Sequence, residues 1–167
     1  MKITRIAGLV AAAVALQFFF GSSAHRGSWP VDFFLLATAA VARGGDFVRA
    51  VLVGGTVGLL EDALAHDLLG MNAFAKAMLG YLLALLSMRV MFGGPWAVGG
   101  ALALASLAND LIVGVLAALL LQAPIVLVSR ESLWRATATG ATGGLLEAAR
   151  IFPWRQWWER RQLRRLR

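Results

Sequence analysis

Two apolar runs meet inside Gly54–Leu83, GGTVGLLEDALAHDLLGMNAFAKAMLGYLL, and this stretch constrains the fold more than any other. The first run ends in adjacent carboxylates, Glu61 and Asp62, and fourteen residues after Asp62 a lone Lys76 opens the second. Ionisable side chains in a segment apolar enough for a bilayer are costly to desolvate, so each needs a partner or a wet cavity. Any fold for this chain has to bring such partners together.

Composition identifies the solvent. Hydrophobic residues make up 59% of the chain and charged residues 15%, against about 25% charged in a soluble domain. The mean hydropathy is +0.72. The expectation is an all-α integral membrane protein with one bundle over residues 1–152 and no sizeable soluble head. The absence of cysteine excludes a disulfide framework and a thiolate metal site. The net charge of +7 is unevenly spread, with seven arginines in the last eighteen residues. That pattern describes one basic tail and no nucleic-acid-binding face.

Apolar stretches near the length of a bilayer crossing fall at 4–21, 30–43, 46–64, 72–92, 96–122 and 132–152, which gives about six transmembrane helices. The second is short, opened by Trp29-Pro30 and closed by Arg43-Gly44-Gly45-Asp46, so five crossings remain possible. Pro124 marks the end of the fifth or a kink in it. The N-terminus resembles a signal peptide ending at Ala24. Because further apolar segments follow, it is read as a first helix that stays attached.

The cations test the count. With both termini in the cytoplasm, inner segments hold Lys2, Arg5, Arg43, Arg49, Arg89 and the seven tail arginines, while outer segments hold Arg26, Arg130 and Arg135. Twelve inside against three outside, with Lys76 buried, supports an even number of crossings.

The tail, 153–167, reads PWRQWWERRQLRRLR. Trp154, Trp157 and Trp158 suit the headgroup level, and Arg160, Arg161, Arg164 and Arg165 attract anionic lipid. An interfacial anchor is the favoured reading, and a docking helix for a cytoplasmic partner is the other.

Small residues recur at four-residue spacing: Ala7, Ala11 and Ala15 in the first stretch, Gly54 and Gly58 in the third, Gly140 and Gly144 in the sixth. Such ridges let helix backbones approach closely. Packing within one bundle is the favoured use, and a homodimer or partner interface the alternative. The echo between Gly54–Glu61 and Gly140–Glu147 is read as a coincidence of such packing.

Depth is more telling for the charges. Counting about 1.5 Å per residue from the inner ends, Glu61, Asp62, Lys76 and Asp110 all lie roughly 21–24 Å above the cytoplasmic face. Glu61 and Asp62 are about 100° apart on their helix, so both cannot face one partner. The expectation is that Lys76 pairs with Asp62 or Asp110, with Asn109 nearby. This layer either orders the bundle or forms a partner- or ligand-binding pocket open to the outside. Glu147, near the inner end of the sixth stretch, is expected to pair with Arg150, Arg43 or Arg49.

Catalytic constellations are absent. His25 and His66 lie on different loops with no second ligand set, and no nucleophile elbow or phosphate loop is present. No enzyme activity, cofactor or metal is expected.

Several runs, in order, carry a resemblance: Pro30-Val-Asp-Phe-Phe-Leu-Leu, Gly58-Leu-Leu-Glu-Asp62-Ala-Leu, Leu69-Gly70-Met-Asn-Ala-Phe74, Gly80-Tyr81-Leu82, and Asp110 within Leu-Ala-Asn-Asp-Leu-Ile. Over residues about 30–115 the chain resembles the rod shape-determining MreD family. Glu61 and Lys76 depart from that pattern. The resemblance implies a bacterial inner-membrane component of the cell-elongation machinery, without catalysis. It would bind MreC and act beside RodA, a penicillin-binding transpeptidase and MreB in peptidoglycan synthesis. It also implies a fold similar to the six-helix substrate-binding subunits of energy-coupling-factor vitamin transporters. A subunit of that kind is the alternative function, because Ala7, Ala11 and Ala15 look like the face those subunits use to dock.

Overall fold

The computed structural model describes residues 3–23, 30–65, 68–89, 94–122 and 129–152, the side chains of 20–23 excepted. Among them are six helices and no strand: α1 (Ile3–Ser23), α2 (Phe33–Ala42), α3 (Phe47–Ala65), α4 (Met71–Arg89), α5 (Pro95–Leu121) and α6 (Arg130–Ile151). Each lies on one of the six apolar stretches.

Local chemistry sets the boundaries. Asp32 caps α2, its carboxylate accepting the Leu35 N–H at 2.8 Å. Pro95 fits the first turn of α5, where no N–H is needed. Ser129 caps α6 by accepting the Ser132 N–H at 3.0 Å. Gly70, immediately before α4, has φ +110°, which side-chain-bearing residues rarely adopt.

Two tight antiparallel hairpins, α3–α4 and α5–α6, flank α2, which touches all five other helices. α1 packs chiefly on α2. The core follows from that centrality. Leu35 and Ala42 join Ala50, Leu79, Leu83, Ala84 and Ala105 in one cluster, and Phe34, Ala37 and Val41 join Ala13, Val53 and Val57 in another.

The short second helix is therefore a buried post. Its ten residues extend about 15 Å, half the thickness of a hydrocarbon core. Met71–Arg89 and Pro95–Leu121 are long and apolar enough to cross a membrane, while Ile3–Phe19 and Phe33–Ala42 are shorter apolar helices. α3 and α6 carry more ionisable residues, among them Arg49, Glu61 and Asp62 in α3 and Arg135, Glu147 and Arg150 in α6. The outside is rich in large apolar side chains, including Phe18, Leu52, Leu104, Leu119 and Leu145.

Candidate functional site: a charge layer sealed inside the helices

The expected partners of Lys76 are the wrong ones, and the helix ends explain why. Lys76 is completely buried, and its Nζ lies 2.9 Å from Asp32 Oδ2 and 2.6 Å from Glu61 Oε2. Asp32 begins α2, Glu61 lies in the last turns of α3, and Lys76 faces both from α4. One ammonium thus joins three helices. Asp32 adds a fourth, donating its backbone N–H to Thr139 Oγ1 of α6 at 3.1 Å.

Asp62 does different work. Its two oxygens accept the backbone N–H groups of Gly70 at 2.8 Å, Asn72 at 3.2 Å and Ala73 at 3.4 Å, and the Asn72 side-chain amide at 2.8 Å. The first-turn N–H groups of a helix have no partner of their own, and Asp62 supplies one across the α3–α4 connection. Asp62 and Lys76 do not pair, and neither do Asp110 and Lys76. Asp110 lies 3.9 Å from Arg135 of α6, both partly exposed. Asn109 is buried, and its side-chain oxygen has no hydrogen-bond partner.

The polar layer expected from depth thus exists as three separate arrangements: a sealed triad, a helix cap and a looser pair. Arg135 is close enough to act electrostatically on Asp32 and Glu61, which links the pair to the triad. The residue that sequence reasoning missed is Asp32. Aspartate directly before Phe-Phe-Leu-Leu is a helix-start signal. Counted from Arg43 it also lies about 17 Å along the helix, toward the end where Lys76 stands.

At the opposite end, Glu147 meets Arg43 in a close ion pair and has Arg150 at 4.0 Å. Two of its three expected partners are therefore present. The third, Arg49, pairs with Asp46 at 3.0 Å.

The glycine ridges are the places where hairpins close. A Cβ at Gly54 would collide with the Lys76 carbonyl, and one at Gly58 would lie 2.5 Å from Ala73 Cα and Asn72 O. Gly80 faces the Ala50 carbonyl at 2.5 Å in the same sense. In the other hairpin, a Cβ added at Gly140 would lie 2.7 Å from Gly99 O, and one added at Gly144 would lie 3.1 Å from Pro95 O. The echo between the two glycine-rich segments reflects one device used twice.

α1 departs from the expectation of internal packing. Ala7, Ala11 and Ala15 are exposed, and its inward face is Ile6, Val10, Ala13 and Val14. Of the remaining motif residues, Leu69 points outward, and the Tyr81 ring rests against Phe47 at 5.4 Å between centroids. The tail with Trp154, Trp157, Trp158, Arg160, Arg161, Arg164 and Arg165 lies outside the described residues, as do His25, His66 and Pro124. Among the described residues, no group of three or more His, Cys, Asp or Glu side chains forms a metal-binding cluster.

No protein-family model matches the chain, no curated protein matches it, and no solved structure matches it.

Proposed function

We propose that the chain is a non-catalytic scaffold of the bacterial inner membrane, with both termini cytoplasmic, that binds MreC within the cell-elongation complex. RodA, a penicillin-binding transpeptidase and MreB are its indirect partners, anionic lipid holds its tail, and a second copy is a further candidate partner. The ordered resemblance to the MreD family supports this reading. So do the physical roles of the motif residues: Gly58 and Gly80 close the α3–α4 hairpin, and Gly70 and Asp62 start α4.

The observation that favours it over a solute-binding subunit is the enclosed Lys76, already matched by Asp32 and Glu61, while the outward Ala7–Ala11–Ala15 stripe, on a helix whose packing is confined chiefly to α2, offers the docking face. Small residues at this spacing give a second helix close backbone contact where lipid supplies no hydrophobic drive. MreC proteins have one transmembrane helix, which suits a single small-residue stripe. The transporter reading requires a solute among the outer charges. Lys76 is sealed and already matched by two carboxylates, which favours the scaffold.

The test is co-purification with a tagged MreC from the same organism in mild detergent. Ala11→Leu is expected to abolish capture while thermal stability stays unchanged, because the side chain points away from the bundle. Asp110→Ala, a partly exposed member of the polar layer, reports whether that layer also touches MreC. Failure of the folded wild-type chain to co-purify would move the assignment to the transporter subunit. Depletion gives the matching phenotype: rounded cells for a scaffold, or a vitamin requirement with normal shape for transport.

A further inference from the structure

An open cavity of about 630 Å³ lies at the seam between α1–α2 and the α5–α6 hairpin, at the end opposite the sealed triad. This volume is within the range of small-ligand sites. Its walls are apolar, with Ala39 of α2, Leu83 of α4 and Leu102 of α5 among them. Its rim is not. Arg43, Glu147 and Arg150 line it together, so two guanidiniums stand over a single carboxylate. Arg43 is matched by Glu147, but Arg150 is 71% exposed and touches that carboxylate only at 4.0 Å. One positive charge is therefore left over at the mouth of an apolar cavity.

The direction of opening narrows the ligand further. Leu9, Ala40 and Leu146 also line the cavity, and all three are exposed on the flank of the bundle. A ligand entering there comes sideways, with its apolar part first. Ser87 does not make the cavity polar, because its hydroxyl is held by the carbonyls of Ala42 and Ala84.

We propose that this cavity binds an anionic phospholipid of the surrounding leaflet, with an acyl chain between α2, α4 and α5 and the phosphate at Arg150 and Arg43. Guanidinium matches phosphate oxygens in a bidentate fork, and basic pockets between transmembrane helices on the cytoplasmic side hold anionic headgroups. The proposal rests on the membrane placement of the chain and is independent of MreC binding.

The test uses the full chain in phosphatidylcholine vesicles, without MreC, and phosphatidylglycerol carrying a diazirine at the end of one acyl chain. After irradiation, labelled residues are mapped by mass spectrometry. Labels are expected on Leu83 and Leu102, displaced by unlabelled phosphatidylglycerol and resistant to phosphatidylcholine. Arg150→Gln, a change at an exposed side chain, should weaken this labelling about fivefold, the value of one arginine against anionic lipid. Ala40→Phe should block it while leaving labels on the outward Leu104 and Leu119.

Labels confined to Leu104 and Leu119 in the wild type would overturn the proposal. So would cavity labels that phosphatidylcholine displaces equally well, or that Arg150→Gln leaves unchanged. Headgroups held by the tail arginines would not label Leu83 and therefore do not imitate the expected result. A chain that labels nowhere has not inserted, which overturns the membrane placement and this proposal together.

Discussion

Two charge clusters among the described residues have opposite stoichiometry and opposite access to the surroundings. At one end, two carboxylates share one ammonium, and Lys76 is completely enclosed. At the other, two guanidiniums share one carboxylate beside an open cavity, and Arg150 projects outward. Desolvating an ion costs several kcal/mol, so the enclosed cluster is stable only with every partner present. The rim cluster keeps one member in contact with the surroundings and tolerates an unmatched charge. The first cluster organises the fold, while the second has charge left for a ligand.

Removing Lys76 should have the largest effect. Lys76→Met leaves the buried Asp32 and the largely buried Glu61 without their ammonium, with only the more distant Arg135 to act on them. A loss of about 3–5 kcal/mol is expected, read as a lowered thermal midpoint in detergent. An unchanged midpoint would abolish the contrast. The triple variant Asp32→Asn, Glu61→Gln, Lys76→Met should regain much of the loss, since removing a whole buried ionic group costs far less than removing one member.

Asp62→Ala comes next. It deprives three backbone N–H groups and the Asn72 amide of their acceptor, at about 1–3 kcal/mol. Hydrogen exchange at Gly70, Asn72 and Ala73 would locate the damage, and protection equal to wild type would show that α4 starts without this cap. Arg43→Gln with Glu147→Gln sharpens the comparison from the other end. Loss of both partners at the rim should change stability by less than about 1 kcal/mol while weakening phosphatidylglycerol labelling. A large destabilisation would make the rim as structural as the triad. Asp110→Asn should be smallest, below about 1 kcal/mol, because its pair with Arg135 is long and partly exposed.

How much of this was legible in the sequence depends on what spacing encodes. Depth counting placed Glu61 and Lys76 at one level, and the structure pairs them. It did not separate Glu61 from Asp62, because their 100° difference matters only once the neighbouring helix is placed. Asp62 caps α4 from eight residues before Gly70, a relation created by the reversal of the chain. Asp32 carried no role in the sequence reading beyond its place in the run Pro30-Val-Asp-Phe-Phe-Leu-Leu, although the same carboxylate both caps α2 and holds Lys76. Four-residue spacing of small side chains marked all three ridges. Only the fold decides that Gly54–Gly58 and Gly140–Gly144 are covered and that Ala7–Ala11–Ala15 is bare.

The short helix α2 also sets an order of events during synthesis. Its capping aspartate leaves the ribosome before Glu61, Lys76 and Thr139, the groups that receive it in the finished protein. Lys76 connects Asp32 with Glu61, and Thr139 emerges more than a hundred residues after Asp32. Until then the backbone N–H of Asp32 lacks its final acceptor, although Lys76 already faces the carboxylate. The contacts of Asp32 are therefore complete only once α6 has been made, although most of the packing around α2 comes from α1, α3 and α4.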